Sequence, residues 1–427
     1  MWSIPFIFGG LLLSGVWVGI CLGLTGAIIS YFSGGISTLA VLPLAAWKML
    51  YNYSFVALPM YILLGEIFVA TGLAKKSYDA ITPLLERVPG KLLSSNVVLD
   101  AMFGAIVGTS MATAATVGSI AYPELSKRGY NRTALVGNLA GAGTLGSFVP
   151  PSIGLIIYGS WVEIPIGSCF AAVLFPALIT TILFIIYLMI LCTIRPNIAP
   201  AGKLIPLRDA IAATGNIWPL IILMASIMGS IYFGIATAVE AAGLGSVIAI
   251  LMCIGFKTFS FKKLHEASIA TLKICGTVVF IMLGATILST SLALSGILHE
   301  AILKVQAVGL SPIATISFIC VLYLILGCFF DGITMLLMTL PFVFPLIMSA
   351  GVNPLLFGAI FVVAGEMGLL TPPVGMNLYI LQGVTQGEVS LRDVARGSIP
   401  YFLLLGVTLI LVIVFPQLCT WLPAHMK

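Results

Sequence analysis

Two stretches of this chain, Gly146–Gly154 (GSFVPPSIG) and Gly368–Gly375 (GLLTPPVG), put adjacent prolines inside apolar runs long enough to cross a membrane. A proline lacks the N–H that a helix interior needs and clashes with the preceding turn, so each pair breaks the helix that carries it. In hydrocarbon no water reaches the freed carbonyls. Non-helical backbone is tolerated at that depth only where protein buries it or where it lines a cavity. The chain is therefore restricted to folds that hold both breaks inside.

Composition agrees with the membrane reading. Of 427 residues, 60% are hydrophobic and 8% charged, where a soluble chain carries about 25% charged. Pro5–Tyr31 has no basic n-region and no small-residue cleavage site, so it reads as a retained span. The eight cysteines form no C-x-x-C pair and fall mostly in apolar runs, as packing residues do. His265, His299 and His425 make no ligand pattern. An intramembrane enzyme needs a nucleophile–base pair or a metal cluster within its spans. The sequence offers neither, so the chain reads as a non-enzyme with no catalytic residue and no cofactor. A passive channel fits poorly, because closed hairpins suit alternating access better than an open pore.

Full spans are expected near 4–32, 53–73, 131–160, 163–194, 215–233, 237–256, 270–296, 353–383 and 398–425. Residues 92–125 and 310–349 are also apolar, but each has a polar middle, Gly108–Ser119 (GTSMATAATVGS) and Gly327–Met335 (GCFFDGITM). Both read as re-entrant hairpins that enter and leave on one side. Tracing the chain this way puts every Lys and Arg except Lys48, Lys304 and Lys427 on the inner side, as the positive-inside rule requires. That rule accounts for the net charge of +5 without an anionic partner. Residues 37–50 read as interfacial, and 75–90 and 258–268 as amphipathic surface helices.

A shift of 222 aligns the two halves. Pro123, Gly129 and Asn131 meet Pro345, Gly351 and Asn353. Ala142, Gly143 and Gly146 meet Ala364, Gly365 and Gly368, and the two proline pairs coincide. The first half has an even number of full spans, so a direct repeat would keep its orientation. The extra span at 215–233 inverts it. The expected domains are a first inverted repeat, 1–205, with the inner hairpin 92–125 and broken helix 131–160, and a second, 206–427, with the outer hairpin 310–349 and broken helix 353–383. Paired breaks in inverted halves point to a binding site near the bilayer midplane.

Hard cations such as Na+ take oxygen ligands, which unwound carbonyls and half-helix C-termini supply; half-helix N-termini attract anions. One Na+ site is expected at Gly108, Thr109 and Ser110 with Gly143, Gly146, Ser147 and Pro150. A second is expected at Asp331 and Thr334 with Gly365, Gly368, Thr371 and Pro372. No metal beyond Na+ is expected. Ser110, Thr113, Ser152, Asp331 and Asn377 are candidates for the substrate, and Arg132, at the inner end of the first broken helix, is the nearest cation. Acids within a membrane are costly and usually functional. Asp331 is the most informative of them; Glu366, aligned with Thr144, can ligate Na+, bind substrate or carry a proton. Glu66, Asp100 and Glu240 are read as structural.

At these residues the chain resembles a known family. GTSMATAATVG, GAGTLGSFVPPS, ATAVEAAGLG (Ala236–Gly245), FFDGITM and GEMGLLTPPVGMNLY together look like the large membrane subunit of TRAP (tripartite ATP-independent periplasmic) transporters. The resemblance spans essentially the whole chain. It implies an all-α polytopic, inverted-repeat, elevator-type transporter of the bacterial inner membrane, with the hairpins and broken helices forming a mobile transport domain. It implies import of an organic acid, commonly a C4-dicarboxylate or sialic acid, driven by Na+. The implied partners are a small four-helix membrane subunit and a periplasmic binding protein, with no nucleic acid. The related divalent-anion/sodium symporters, which work alone, usually carry Ser-Asn-Thr at their hairpin tips. Here the tips read Gly-Thr-Ser and Asp-Gly-Ile-Thr.

Overall fold

A computed structural model describes residues 3–87, 90–200, 206, 208–209, 212, 215–309 and 311–426. The expected repeat boundary at 205, the first residue of the outer hairpin, Leu310, and two of the traced basic residues, Lys203 and Lys427, lie outside this set. Every regular element among the described residues is helical. Among the described residues, eight helices have the length and composition to cross a membrane.

One group of helices forms a frame. Phe261–Leu294 packs along Val18–Leu39 and against Ala57–Ala70, which meets Ala238–Gly255, which in turn meets Trp218–Tyr232. Gly19 lies against Phe280 and Gly284, and Gly26 against Leu288. Lipid supplies no hydrophobic drive for helices to associate, so close backbone approach at small residues carries the packing.

The second group holds the breaks. The first hairpin is Lys91–Val107 and Ser110–Lys127; the second is Pro312–Gly327 and Gly332–Ser349. The first broken helix runs Arg132–Gly143, Leu145–Phe148 and Ile153–Trp161; the second runs Pro354–Leu369 and Met376–Val384. Ile166–Ile194 and Leu391–Val414 flank them. The first broken helix is 83% buried over its apolar window, and none of the other seven long spans exceeds 50%. Its loose ends therefore face protein rather than lipid; the second break departs from the expectation that both are held inside, because Pro372 and Pro373 are exposed.

The matched asparagines have a physical reason. Asn131 caps the first broken helix by accepting from the Ala134 N–H (3.0 Å), and Asn353 caps the second by accepting from Leu355 (2.8 Å). The Pro150–Pro151 and Pro372–Pro373 bonds are both cis.

Some boundaries differ from those expected. The span placed at 4–32 is two helices, Ser3–Leu13 and Val18–Leu39, because the chain turns at Gly15, whose φ is +78°. Residues 258–268 do not form a separate surface helix. Nothing interrupts the backbone after Phe261, so the helix continues to Leu294. The run at 398–425 is likewise two helices, Leu391–Val414 and Gln417–His425, divided at Pro416. The expected surface helix at 75–90 is present as Leu73–Leu85, and the interfacial segment contains Leu42–Leu50.

Candidate functional site between the hairpin tips

The two tips meet in one small cavity. It is lined by Gly108, Thr109, Ser110 and Met111 of the first tip, Asp331, Gly332 and Ile333 of the second, Ser147, Ser152 and Gly154 of the first break, and Phe361, Val362, Gly365 and Glu366 of the second broken helix. Its volume is about 40 Å³. A water needs roughly 10–15 Å³ on this measure, so the space fits an ion or a few waters and excludes an organic acid.

Each tip is a short non-helical link whose second arm begins at a cap residue, Thr109 or Asp331. Gly108 closes the first arm with φ +72°, a conformation glycine adopts without a Cβ penalty. The two caps work differently. The Asp331 carboxylate accepts from the backbone N–H groups of Ile333 and Thr334 (3.1 and 3.2 Å), so it caps its own helix. Thr109 makes no such bond. Instead the Ser110 N–H donates to Ser147 Oγ (2.9 Å), a hydroxyl from the broken helix.

The breaks attach to the hairpins in matching ways. The Ile153 N–H donates to the Gly108 carbonyl (3.1 Å), and the Gly375 N–H donates to the Cys328 carbonyl (2.9 Å). Gly104 packs against Leu145 and Gly146, as Gly327 packs against Gly368, with no room for a Cβ at either crossing. Among the described residues, no hydrogen bond ends on the carbonyls of Phe148, Val149, Pro150 or Pro151. The unwound carbonyls of the first break are thus free to act as ligands.

Glu366 supplies what the tip alone lacks. It is 3% exposed, and its Oε2 has no hydrogen-bond partner. Ser147 and Ser110 line the same cavity as its carboxylate. Ser152 Oγ is also buried without a partner. Two carboxylates and several hydroxyls line ion-sized space, a donor set that suits a hard cation.

The expected site residues separate into three places. Gly108, Thr109, Ser110, Ser147, Ser152, Asp331 and Gly365 line the cavity. Gly143, Gly146 and Thr113 lie behind it: a Cβ on Gly143 would meet Ala114, Gly146 packs on Thr113, and the Thr113 hydroxyl donates to the Thr109 carbonyl (2.8 Å). Pro150 is buried in the bend beside them. Gly368, Thr371 and Pro372 belong to the second break beside Cys328, and the Thr371 hydroxyl donates to the Met367 carbonyl (2.8 Å). Thr334 gives its backbone N–H to Asp331 and does not line the cavity. Asn377 is buried with neither amide atom bonded, away from the cavity wall. Arg132 lies outside it as well, exposed and 3.8 Å from Glu388.

The second break is shorter than expected. Its first helix runs through Gly365 and Gly368 to Leu369, so Glu366 is helical and reaches across to the first tip. Sequence alignment with Thr144 gives its depth and leaves open which tip it serves.

The fold is shared with a solved transporter. The crystal structure of the Alcanivorax borkumensis YdaH transporter superposes with a TM-score of 0.64, covering 94% of this chain and 97% of that one at 13% identity. Relatives in sequence include the C4-dicarboxylate TRAP transporter large permease protein DctM of Pseudomonas aeruginosa, 29% identical over 94% of this chain and 93% of its own length. The sialic acid TRAP transporter large permease protein SiaM of Vibrio cholerae is 27% identical, covering 87% and 86%. The ectoine TRAP transporter large permease protein TeaC of Halomonas elongata is 28% identical, covering 97% and 96%. Residues 6–418 match the family described as "Tripartite ATP-independent periplasmic transporter, DctM component". Nearly the full chain lies in that match, and the protein belongs to this family, as a large, multi-pass membrane subunit of a TRAP transporter in the bacterial inner membrane.

Proposed function

We propose that this subunit carries a small organic acid inward across the membrane together with Na+, at the oxygen-lined cavity between the hairpin tips. The observation that supports this most is the pairing of Glu366, with its unbonded Oε2, and the Ser110–Ser147 pair around ion-sized space. A Na+ ion there satisfies groups that are costly to leave unpaired in a low-dielectric site. It also offsets acidic charge beside an anionic substrate. The second ion site lies at the Asp331 tip, with carbonyls of the second break.

The substrate follows from relatives and from charge. Named relatives carry C4-dicarboxylates, sialic acid or ectoine. We favour an acid, a C4-dicarboxylate or sialic acid, held by hydroxyls and helix N-termini beside Na+. The cavity is too small for such a molecule as it stands, so the tips must separate to admit it. The two hairpins and two broken helices, contributed by repeats 1–205 and 206–427, then move against the frame as an elevator. Each unit charge moved through 100 mV is worth about 2.3 kcal/mol, so Na+ in excess of substrate charge drives accumulation. A small membrane subunit and a periplasmic binding protein complete the transporter.

Reconstitution in liposomes tests this reading. With the small subunit and a cognate binding protein, an inward Na+ gradient is expected to drive uptake of the acid. Full uptake in Na+-free buffer under a proton gradient would overturn the ion assignment and make Glu366 and Asp331 proton carriers. Full uptake by this chain alone would make it a stand-alone symporter.

A further inference from the structure

Asp100 lies on the first arm of the first hairpin, fully buried, and neither of its carboxyl oxygens has a hydrogen-bond partner. One turn earlier, Asn96 is equally buried. Its Nδ2 donates to Asn138 Oδ1 (2.9 Å), while its own Oδ1 has no donor. Residues four apart share one face of a helix, with Cβ atoms about 5–6 Å apart.

The packing register fixes what that face meets. Asn96 bonds Asn138, and Gly104, one turn beyond Asp100, packs against Leu145 and Gly146. Asp100 therefore faces the intervening stretch of the same broken helix, residues 139–144, which carries no ionisable side chain. Among the other elements packed on this arm, Ala57–Ala70 carries Tyr61 and Glu66, Leu73–Leu85 carries Lys75, Lys76, Tyr78 and Asp79, and Ser110–Lys127 carries Tyr122, Glu124 and Lys127. Ile166–Ile194 carries Cys169, Tyr187 and Cys192, and Trp218–Tyr232 carries Tyr232.

A buried carboxylate with no partner is expensive in a membrane, and the group neutralises instead. Two orphaned acceptors one turn apart are resolved together by one proton. We propose that Asp100 is a proton-binding site: it is held as the neutral acid, and its O–H donates to Asn96 Oδ1. The bond begins a chain that runs one way, because Asn96 donates to Asn138, and Asn138 Nδ2 donates to the Tyr401 hydroxyl (3.1 Å). One proton thereby ties the first hairpin to the first broken helix and to Leu391–Val414. The arm that carries the cavity tip then adds no charge of its own from Asp100.

Infrared difference spectra between the purified wild-type protein and Asp100→Asn at neutral pH test the site directly. The readout does not depend on the ion or substrate proposed above. The expected result is a carboxylic-acid carbonyl band present in the wild type, absent from the variant and indifferent to added Na+. A carboxylate signal at neutral pH overturns the proposal; so does a carboxyl signal that moves on Na+ titration, which would mean that the site holds a cation. Asn offers an N–H to Asn96 Oδ1 and mimics the neutral acid. Asp100→Asn should therefore keep its unfolding temperature and most of its uptake, and lose the alkaline fall in both that ionisation of Asp100 causes. Asp100→Leu leaves Asn96 Oδ1 unpaired and should unfold at a lower temperature. Equal losses in the Asn and Leu variants would also sink the idea.

Discussion

The two hairpin tips solve one problem by different means. Each must satisfy the first N–H groups of a helix that starts deep inside the protein. The second tip does so within itself, through Asp331. The first borrows Ser147 from the broken helix and faces Glu366 from the second half of the chain. The second tip is therefore preorganised, while the first is complete only when three elements are in place. A ligand entering at the first tip meets groups that depend on their neighbours' positions. A ligand at the second meets a cap that stays formed when those neighbours move.

Substitutions can break this comparison, and the largest effect is expected at Glu366. Glu366→Gln keeps the shape and removes the carboxyl group that faces the first tip; it should abolish most Na+-stimulated uptake in proteoliposomes. Uptake close to wild type would mean that Glu366 is only a packing group.

Asp331 comes next, because two roles are superposed there. Asn caps helices about as well as Asp, whereas Ala loses about 1 kcal/mol. Asp331→Asn is expected to unfold at the wild-type temperature yet transport poorly, and Asp331→Ala to lose stability as well. If Asn restores both properties, the carboxylate serves only as a cap.

A smaller effect separates Ser147 from Thr334. Ser147→Ala leaves the Ser110 N–H without its acceptor, at a cost of roughly 1–3 kcal/mol for a buried group. Thr334→Ala removes a hydroxyl that does not line the cavity and should change stability by less than about 0.5 kcal/mol. Thermal unfolding of the two variants side by side checks the asymmetry, and equal losses would refute it.

The smallest effect lies at the base of the first hairpin, where Glu86 and Glu124 both pair with Arg128. Asp79, on the adjacent surface helix, has its carboxyl pushed above the usual value of 3.8 by burial, against the pull of Lys75, with Glu124 pushing the same way. The folded chain thus holds that proton more tightly than the unfolded chain. Stability is lost as pH rises above 3.8 and is unaffected well below it. Asp79→Asn should raise the unfolding temperature slightly at neutral pH and leave it unchanged in strong acid. A rise that persists in acid would point to a different cause.

The fold was readable wherever a local rule acts alone. Doubled prolines stop a helix in any surroundings, and Asn131 and Asn353 announce helix starts, so breaks and hairpins follow from the residues themselves. The second break starts later than expected because Gly365 and Gly368, although poor helix formers, stay helical when a hairpin arm packs on them. The partnership of Glu366 with Ser110 was not legible for another reason. It joins positions 256 residues apart, and no local pattern records which tip an inward-facing acid will meet. Arg132 had the right charge and the wrong place: a helix of 12 residues separates the start of the broken helix from the break.

The glycine crossings set a mechanical limit on the transporter. At Gly104–Gly146 and Gly327–Gly368 each hairpin arm touches its broken helix backbone to backbone. Sliding one along the other would bring a side chain into that contact, so arm and broken helix are coupled like two parts of a single casting. Sliding a whole hairpin arm along its own break is opposed by shape. Whatever opens the cavity must either bend the few residues of a tip or carry arm and break together past the frame.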